Sequence, residues 1–328
     1  MIAVTGATGL LGSSIIRKLL EDGEQVIAIK RKSSDTSLLN DILDKITLRD
    51  ADILDPVALS DALEGVSVVI HAAGFVSFQR RDKKKLYEIN VQGTRNIINT
   101  TLQHNIKKFI HVSSVAALGR PKDAIQLDEK QKWAESPFNT VYAESKYLAE
   151  LEVMRGHEEG LQVVIVNPSV ILGPGDWNKS SSKIFDYVWR EHSFYSDMSI
   201  NFVDVKDVVR AITQLMNTTA DGERYIVNAD TIPCQLLFEK IAKNFKKKPP
   251  AIKVGKNLVL WLAKLEQLRS VLTGSTSLIT KETAQLAKSQ VTYNNQKIKN
   301  KLNFEFQTID ETLKWCCEYY MKKANGKK

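Results

Sequence analysis

A doubly wound α/β fold built on a parallel sheet is predicted by three observations. Short β-branched apolar runs recur along the first half of the chain, amphipathic stretches of helical length separate them, and a glycine-rich turn joins the first run to the first such stretch. Residues 2–4 read as the first strand and 10–20 as a helix, with apolar side chains at 10, 11, 15, 16, 19 and 20. Strands follow at 26–29, 46–48 and 66–70. A helix around 87–101 leads into a strand at 109–112, and one around 142–154 into a strand at 163–166. Apolar runs without alternation, separated by helices, belong to a parallel sheet covered on both faces.

Past Pro168 the rhythm changes. Gly173-Pro174-Gly175 breaks the chain and 177–182 reads as loop. A strand at 200–205 and a helix at 208–216 are expected to return to the sheet, while 235–328 is lysine-rich and mainly helical, without an internal repeat. The expected organisation is a nucleotide-binding domain over 1–167, rejoined by 200–228. Segments 168–199 and 229–328 form a smaller, partly interleaved substrate-binding lobe.

With 328 residues, 43% apolar and 26% charged, the chain has material for a real core, which excludes collagen-like, mucin-like and largely disordered classes. The three cysteines, Cys234, Cys316 and Cys317, make a poor disulfide framework and show no zinc spacing, so no metal is expected. The first residues lack the regions of a signal peptide, and the apolar stretch 258–263 is far short of a membrane span. A cytoplasmic protein without stable membrane insertion is the expectation.

The first strand runs into Thr5-Gly6-Ala7-Thr8-Gly9-Leu10-Leu11-Gly12, and a helix follows. A pyrophosphate needs backbone N–H groups at close range, and a helix N-terminus supplies them together with its dipole. Gly6 and Gly9 allow the tight turn and close approach, and Gly12 lets the helix pack on the strand. Gly6, Thr8, Gly9, Leu10 and Gly12 are therefore candidate cofactor contacts of a Rossmann-type sheet; an ordinary βα turn is the bland alternative. At the end of the second strand an NAD enzyme usually carries an acid for the ribose 2′-hydroxyl. Here Lys30, Arg31, Lys32 and Ser33 stand in that place. A guanidinium binds a 2′-phosphate that a carboxylate would repel. NADP(H) is expected, with Arg31 the main clamp and Lys30 or Ser33 assisting; NAD(H), with a merely solvated charge cluster, is the alternative.

Tyr142-Ala143-Glu144-Ser145-Lys146 places a tyrosine and a lysine on one face of a helix. A nearby ammonium is expected to lower the phenol toward working pH, and the tyrosine can then exchange a proton with a carbonyl or alcohol oxygen as hydride moves. Ser113-Ser114 ends the strand before it, at the edge where open α/β sheets bind ligands.

Together these residues resemble an extended short-chain dehydrogenase/reductase of the NAD-dependent epimerase/dehydratase type. The likeness covers nearly the whole chain: residues 5–12, Asp52 within Ala51-Asp52-Ile53-Leu54-Asp55, His71-Ala72-Ala73-Gly74, Asn90-Val91-Gln92-Gly93-Thr94, Ser113-Ser114, Tyr142 with Lys146, Asn167-Pro168 and Gly173-Pro174-Gly175. Residues 72–78 and the basic residue after strand two resemble the dihydroflavonol-reductase-like branch. The resemblance implies a triad of Ser114, Tyr142 and Lys146, with Lys146 also holding the nicotinamide ribose. It implies that Asp52 and Ile53 contact adenine, that Ala72, Ala73 and Gly74 flank the cofactor, and that Pro168 lies near the nicotinamide. Asn90 either supports the Lys146 proton path or packs a helix. A homodimer is compatible with the resemblance.

Phe75, Ser114, Trp177 and Asn178 are placed by position beside the substrate. His71, at the end of a buried strand, reads as a packed histidine, and Asp207 as the cap of the following helix. The leading expectation is an NADPH-dependent reductase of a ketone or aldehyde, acting in either direction. A sugar-nucleotide epimerase or dehydratase with bound NAD is the alternative within enzymes, and a non-catalytic NADP(H)-sensing protein the alternative outside them.

The net charge of +8 first suggests nucleic acid or an anionic surface. Seven lysines in 240–256 and four in 321–328 exceed that surplus, and without them the chain stands at −3. The body is not basic, and no nucleic-acid motif is present. The amphipathic stretch 258–272 beside those lysines is expected to pack on the protein in preference to a membrane.

Overall fold

A computed structural model describes residues 1–122, 125–176, 180–255 and 291–325. The order of its first half is β1 (Ile2–Thr5), α1 (Leu10–Glu21), β2 (Val26–Lys30), β3 (Thr47–Asp50), α2 (Pro56–Ala62) and β4 (Val68–His71). Next come α3 (Lys83–Leu86), a π-helical turn Tyr87–Gln92, α4 (Gly93–Gln103), β5 (Lys108–Val112), β6 (Gln126–Leu127), α5 (Val141–Glu158) and β7 (Gln162–Pro168). The second half holds β8 (Val170–Leu172), α6 (Lys183–Trp189), β9 (Phe194–Ser196), β10 (Ser199–Asp204), α7 (Val205–Met216) and β11 (Glu223–Val227). It continues with β12 (Asp230–Pro233), α8 (Cys234–Phe245), β13 (Ile252–Val254), β14 (Thr292–Tyr293) and the helices Gln296–Leu302 and Ile309–Asn325.

The main sheet is parallel, with seven strands in the order β11-β7-β5-β4-β1-β2-β3. The chain runs outward from β1 through β2 to β3, then crosses back to β4. That reversal opens a crevice at the carboxyl ends of β1 and β4, where this architecture binds ligands. Two apolar layers cover the sheet, as its runs of β-branched residues demand. Val4, Ile16, Ile110, Val164 and Ile212 lie in one, and Ala3, Ile27, Val69, Phe109 and Val163 in the other. Two predicted strands begin later than expected, β3 at Thr47 and β4 at Val68, because the Val66 N–H closes a turn onto the Leu63 carbonyl and Ile46 follows a short helical turn.

The strand expected at 200–205 does not return to the main sheet. It is β10, the middle of a separate three-stranded sheet β12-β10-β8, and the strand that extends the main sheet is β11. Alternation along β10 explains this, since Phe202 faces a second core and Val203 faces the first. That second core, around Leu172, Phe185, Leu237, Ile241, Phe245 and Tyr320, contains all three cysteines as free buried thiols. A further correction concerns the segment after 229, part of which rejoins the nucleotide-binding half: Ile298 and Phe304 are buried in the first core.

The cap of α7 is Asp204, not Asp207. Asp204 accepts from the Lys206 N–H at 2.7 Å and from the Trp315 indole at 2.9 Å. Asp207, within the first turn of the helix, accepts from Arg210 at 2.7 Å and from the Gln307 N–H at 2.8 Å. Because Asp204 satisfies a helix end and a half-buried indole together, Asp204→Ala is expected to lose about 2 kcal/mol of stability. A thermal midpoint equal to wild type would refute that role.

Tyr320 fixes the loop after β8: its hydroxyl donates to the Gly173 carbonyl and accepts from the Gly175 N–H at 3.1 Å. Gly173 and Gly175 in turn lie against Leu10 at the start of α1. Among the described lysines of 240–256, Lys240 pairs with Asp310, Lys247 with Glu191 and Lys253 with Asp197. The stretch 258–272 lies outside the described residues. Among the described residues no helix is long and apolar enough to cross a membrane.

Candidate active site

The glycine turn divides its three glycines between two tasks. Gly6 has φ +67°, and a Cβ there would stand 2.7 Å from the Ala73 nitrogen. A Cβ on Gly12 would stand 2.2 Å from the Gly6 carbonyl oxygen. Both are required for the loop to lie against β4 and α1. Gly9 is different: it is exposed, has φ −83°, and its Cβ would meet nothing nearer than 3.4 Å. Gly9 is also the N-cap of α1 without a side-chain cap, and no acid stands in the first turn. The leading N–H groups of the helix thus face an open, anion-favouring cradle that fits a dinucleotide pyrophosphate.

At the end of β2 the basic residues separate. Lys30 Nζ lies 2.5 Å from Asp50 Oδ1 on β3, which occupies the cation expected to assist with phosphate. Arg31 and Ser33 are exposed in the turn closed by the Ser34 N–H on the Arg31 carbonyl. Asp52 Oδ1 accepts from the Leu54 N–H at 3.0 Å, shaping the turn after β3. Ile53 is buried against Gly93, and its carbonyl accepts from the Asn96 amide.

His71 ends β4 fully buried, between Thr5 Oγ1 at 2.7 Å and Thr94 Oγ1 at 3.2 Å. Burial pushes its imidazole down to about 3, so it is neutral at working pH. Thr5 Oγ1 also accepts from the Ala73 N–H, which ties Ala72, Ala73 and Gly74 to the end of β1. Asn90 sits in the π-helical turn and clamps the loop beyond. Its carbonyl oxygen accepts from the Phe75 N–H at 2.7 Å, and its amide donates to the Phe75 carbonyl and to Ser145 Oγ, each at 2.9 Å. With those bonds made, Asn90 shapes the wall of the crevice and has no bond to Lys146. The clamped loop carries Phe75, under the Lys85 ammonium at 4.5 Å, and Phe78, edge-on to Tyr142 at 5.8 Å.

Ser114, Tyr142 and Lys146 meet at the carboxyl end of β5. Ser114 caps a one-turn helix, Val115–Leu118, its hydroxyl accepting from the Ala116 N–H at 3.2 Å. Ser113 points the other way, donating to Glu150 at 2.5 Å. Tyr142 enters α5 just after the N-cap Thr140, whose Oγ1 accepts from the Ala143 N–H. Lys146, one turn on, is buried and donates to the Val112 carbonyl at 2.8 Å. The expected depression of the tyrosine by the lysine is not what this geometry produces. Burial raises the phenol, Ser114 draws it partly back down, and the Lys146 ammonium donates to the Val112 carbonyl at the end of β5. Burial also pushes Lys146 itself down to about 8, opposed by Glu150.

Sequence reasoning missed the network behind the lysine. Glu150 is 4% exposed, yet accepts from Ser113, from Asn167 Nδ2 at 2.6 Å and from Arg224 Nη1 at 3.4 Å. The spacing Lys146-x-x-x-Glu150 was the available signal, since it puts both on one helix face. Pro168 is buried at the end of β7, paired with Val227 of β11. Trp177 and Asn178 lie outside the described residues. Among the described residues no cluster of His, Cys, Asp or Glu could hold a metal ion.

A family model described as the NAD dependent epimerase/dehydratase family matches residues 2–229. The chain belongs to that family. It is accordingly an NAD(P)-dependent oxidoreductase. Sterol demethylase protein B of Methylococcus capsulatus is 34% identical over 232 residues, 69% of each chain. A putative dihydroflavonol 4-reductase of Synechocystis sp. is 33% identical over 241 residues, covering 71% of this chain and 68% of the relative. Among solved structures, gox2253 superimposes with a TM-score of 0.85 at 30% identity over 98% of both chains. UDP-glucose 4-epimerase of Thermotoga maritima, at 20% identity and TM-score 0.81 over 98% of this chain and 99% of that one, shares the fold.

Proposed function

We propose that the protein is an NADPH-dependent reductase of a ketone or aldehyde, with Ser114, Tyr142 and Lys146 as its reacting set. The observation that carries this reading is the buried Lys146, whose ammonium donates to the Val112 carbonyl at the carboxyl end of β5, one helical turn from Tyr142 and next to Ser114, beside the cradle at α1. When bound, the nicotinamide supplies the hydride that arrives at the carbonyl carbon. The Tyr142 hydroxyl donates the proton that completes the alcohol, while Ser114 Oγ hydrogen-bonds the carbonyl oxygen and holds it in line. Lys146, one turn along α5, would hold the nicotinamide ribose through its ammonium. The wall formed by Phe75 and Phe78 keeps water from the reacting atoms. Relatives named as reductases, among them cinnamoyl-CoA reductase 1 of Petunia hybrida at 28% identity over 264 residues, support this direction of chemistry.

The preference for NADPH rests on Arg31. It is exposed at the end of β2 without an ion-pair partner among the described residues, and no acid replaces it as a ribose ligand. Arg31→Ser should weaken NADPH binding by about 1.5–3 kcal/mol, roughly 10- to 150-fold, the worth of hydrogen bonds to a charged group. NADH binding should be unchanged. Fluorescence titration of both cofactors against both proteins measures this; a wild type that binds NADH as well as NADPH would defeat it. Co-purification with oxidised NAD and turnover of a UDP-sugar would instead establish the epimerase or dehydratase reading.

A further inference from the structure

Beyond the loop clamped by Asn90, five cations stand within six residues: Arg80, Arg81, Lys83, Lys84 and Lys85, all exposed. The chain is helical from Arg80 to Gln92. Arg80 and Lys84, like Arg81 and Lys85, therefore stand four residues apart, where like charges oppose each other. The neighbouring acids do little to offset them. Asp82 accepts from Ser77 Oγ at 2.6 Å, Glu88 reaches Lys84 at 3.7 Å, and Glu144 of α5 is engaged by Tyr87. Arg80, Arg81 and Lys83 have no ion pair among the described residues. Local folding gains nothing from such a run, and an anion brought to it would relieve the repulsion.

The run is held in place beside the reacting set. Asn90 fixes both backbone groups of Phe75. Further on, the Gln79 N–H donates to Ser77 Oγ at 3.1 Å and the Asp82 N–H to the Gln79 carbonyl at 3.0 Å. Between the clamp and the cations lies Phe78, edge-on to Tyr142 at 5.8 Å. Three residues of chain separate Phe78 from Arg81, a reach of at most about 11 Å. Arg81, Lys83, Lys84 and Tyr87 line an open depression of about 570 Å³. Outward from the Tyr142 hydroxyl the order is therefore an aromatic wall, then positive charge.

We infer that the carbonyl substrate carries a phosphate group: its apolar body lies on Phe75 and Phe78, and the phosphate docks on Arg81, Lys83 and Lys84. This inference names the substrate class of the site described above and rests on the reductase reading for its chemistry. A guanidinium binds phosphate oxygens in pairs, and two ammonium groups add point charges, which together suit a doubly charged oxyanion. Because the cations are exposed, their attraction is weakened by salt. The phosphates of the cofactor have their own cradle at α1, so that cradle is filled first in the test.

The test reads binding and needs no turnover. Calorimetric titration of the full chain, saturated with NADP+, uses phenyl phosphate as the probe. Benzyl alcohol serves as the uncharged ring and inorganic phosphate as the bare anion. Wild type should bind phenyl phosphate about 10-fold more tightly than either, since only that probe engages both the wall and the cations. The combined variant Arg81→Gln, Lys83→Gln and Lys84→Gln changes exposed side chains alone and should lose about 10-fold of that affinity. Added salt should weaken wild type more steeply than this variant. Phe78→Leu should weaken phenyl phosphate and leave inorganic phosphate as it was. Equal affinity of wild type and the combined variant for phenyl phosphate overturns the inference. So does a wild type that binds phenyl phosphate no better than inorganic phosphate, or not at all. Loss of the reductase reading would show separately, as a Tyr142→Phe protein that still turns over.

Discussion

Tyr142→Phe should lower kcat by about 10²–10⁴-fold, the usual worth of a positioned general acid. NADPH affinity should stay near wild type. The expectation follows from what the substitution leaves intact. Phenylalanine keeps the ring, so the edge contact with Phe78 and the packing of α5 survive. Ser114 keeps its bond from the Ala116 N–H, and Lys146 keeps the Val112 carbonyl. Only the proton donor disappears. Measuring single-turnover reduction beside cofactor fluorescence separates the two effects, and full activity in the variant would eliminate the assigned acid.

Gly12→Ala and Gly9→Ala should behave in opposite ways, although both change one hydrogen for a methyl in the same turn. On Gly12 the methyl meets the Gly6 carbonyl oxygen at 2.2 Å, a backbone atom that cannot swing aside. Moving α1 or the loop to relieve the clash should destabilise the fold by about 3 kcal/mol. On Gly9 the methyl has 3.4 Å of room and an ordinary φ, so thermal stability should hold. There the methyl projects into the open cradle at the helix N-terminus, and cofactor affinity should fall instead. Thermal midpoints and NADPH titrations on the two variants test the division. Equal loss of stability in both would show that the turn is a packing device alone.

Much of this was legible in the chain because local rules govern it. The strand-turn-helix at residues 2–21 could be read from a β-branched run, three spaced glycines and an amphipathic repeat. The pairing of Tyr142 with Lys146 followed from helical spacing, and the loss of an acid after β2 from the residues standing there. His71 read as a packed histidine and proved to be one, enclosed by Thr5 and Thr94. The errors share a cause. Asp204 and Asp207 are equally good caps by type, and only the start of α7 at Val205 chose between them. Lys30 and Arg31 are equally good cations by type, and only the pairing of β2 with β3, which brings Asp50 opposite Lys30, set them apart.

What the sequence determined by itself was the class of fold, the glycine turn and the helical spacing of Tyr142 and Lys146, because each depends on contacts within a few residues of chain. Tertiary structure decided where β10 belongs, which serine faces the tyrosine and what stands behind the lysine. Those outcomes depend on partners far away in the chain: Asn167 and Arg224 reach Glu150 from two further strands of the sheet. A buried charge is stable only where such partners converge, and no periodicity along one strand or helix records that convergence.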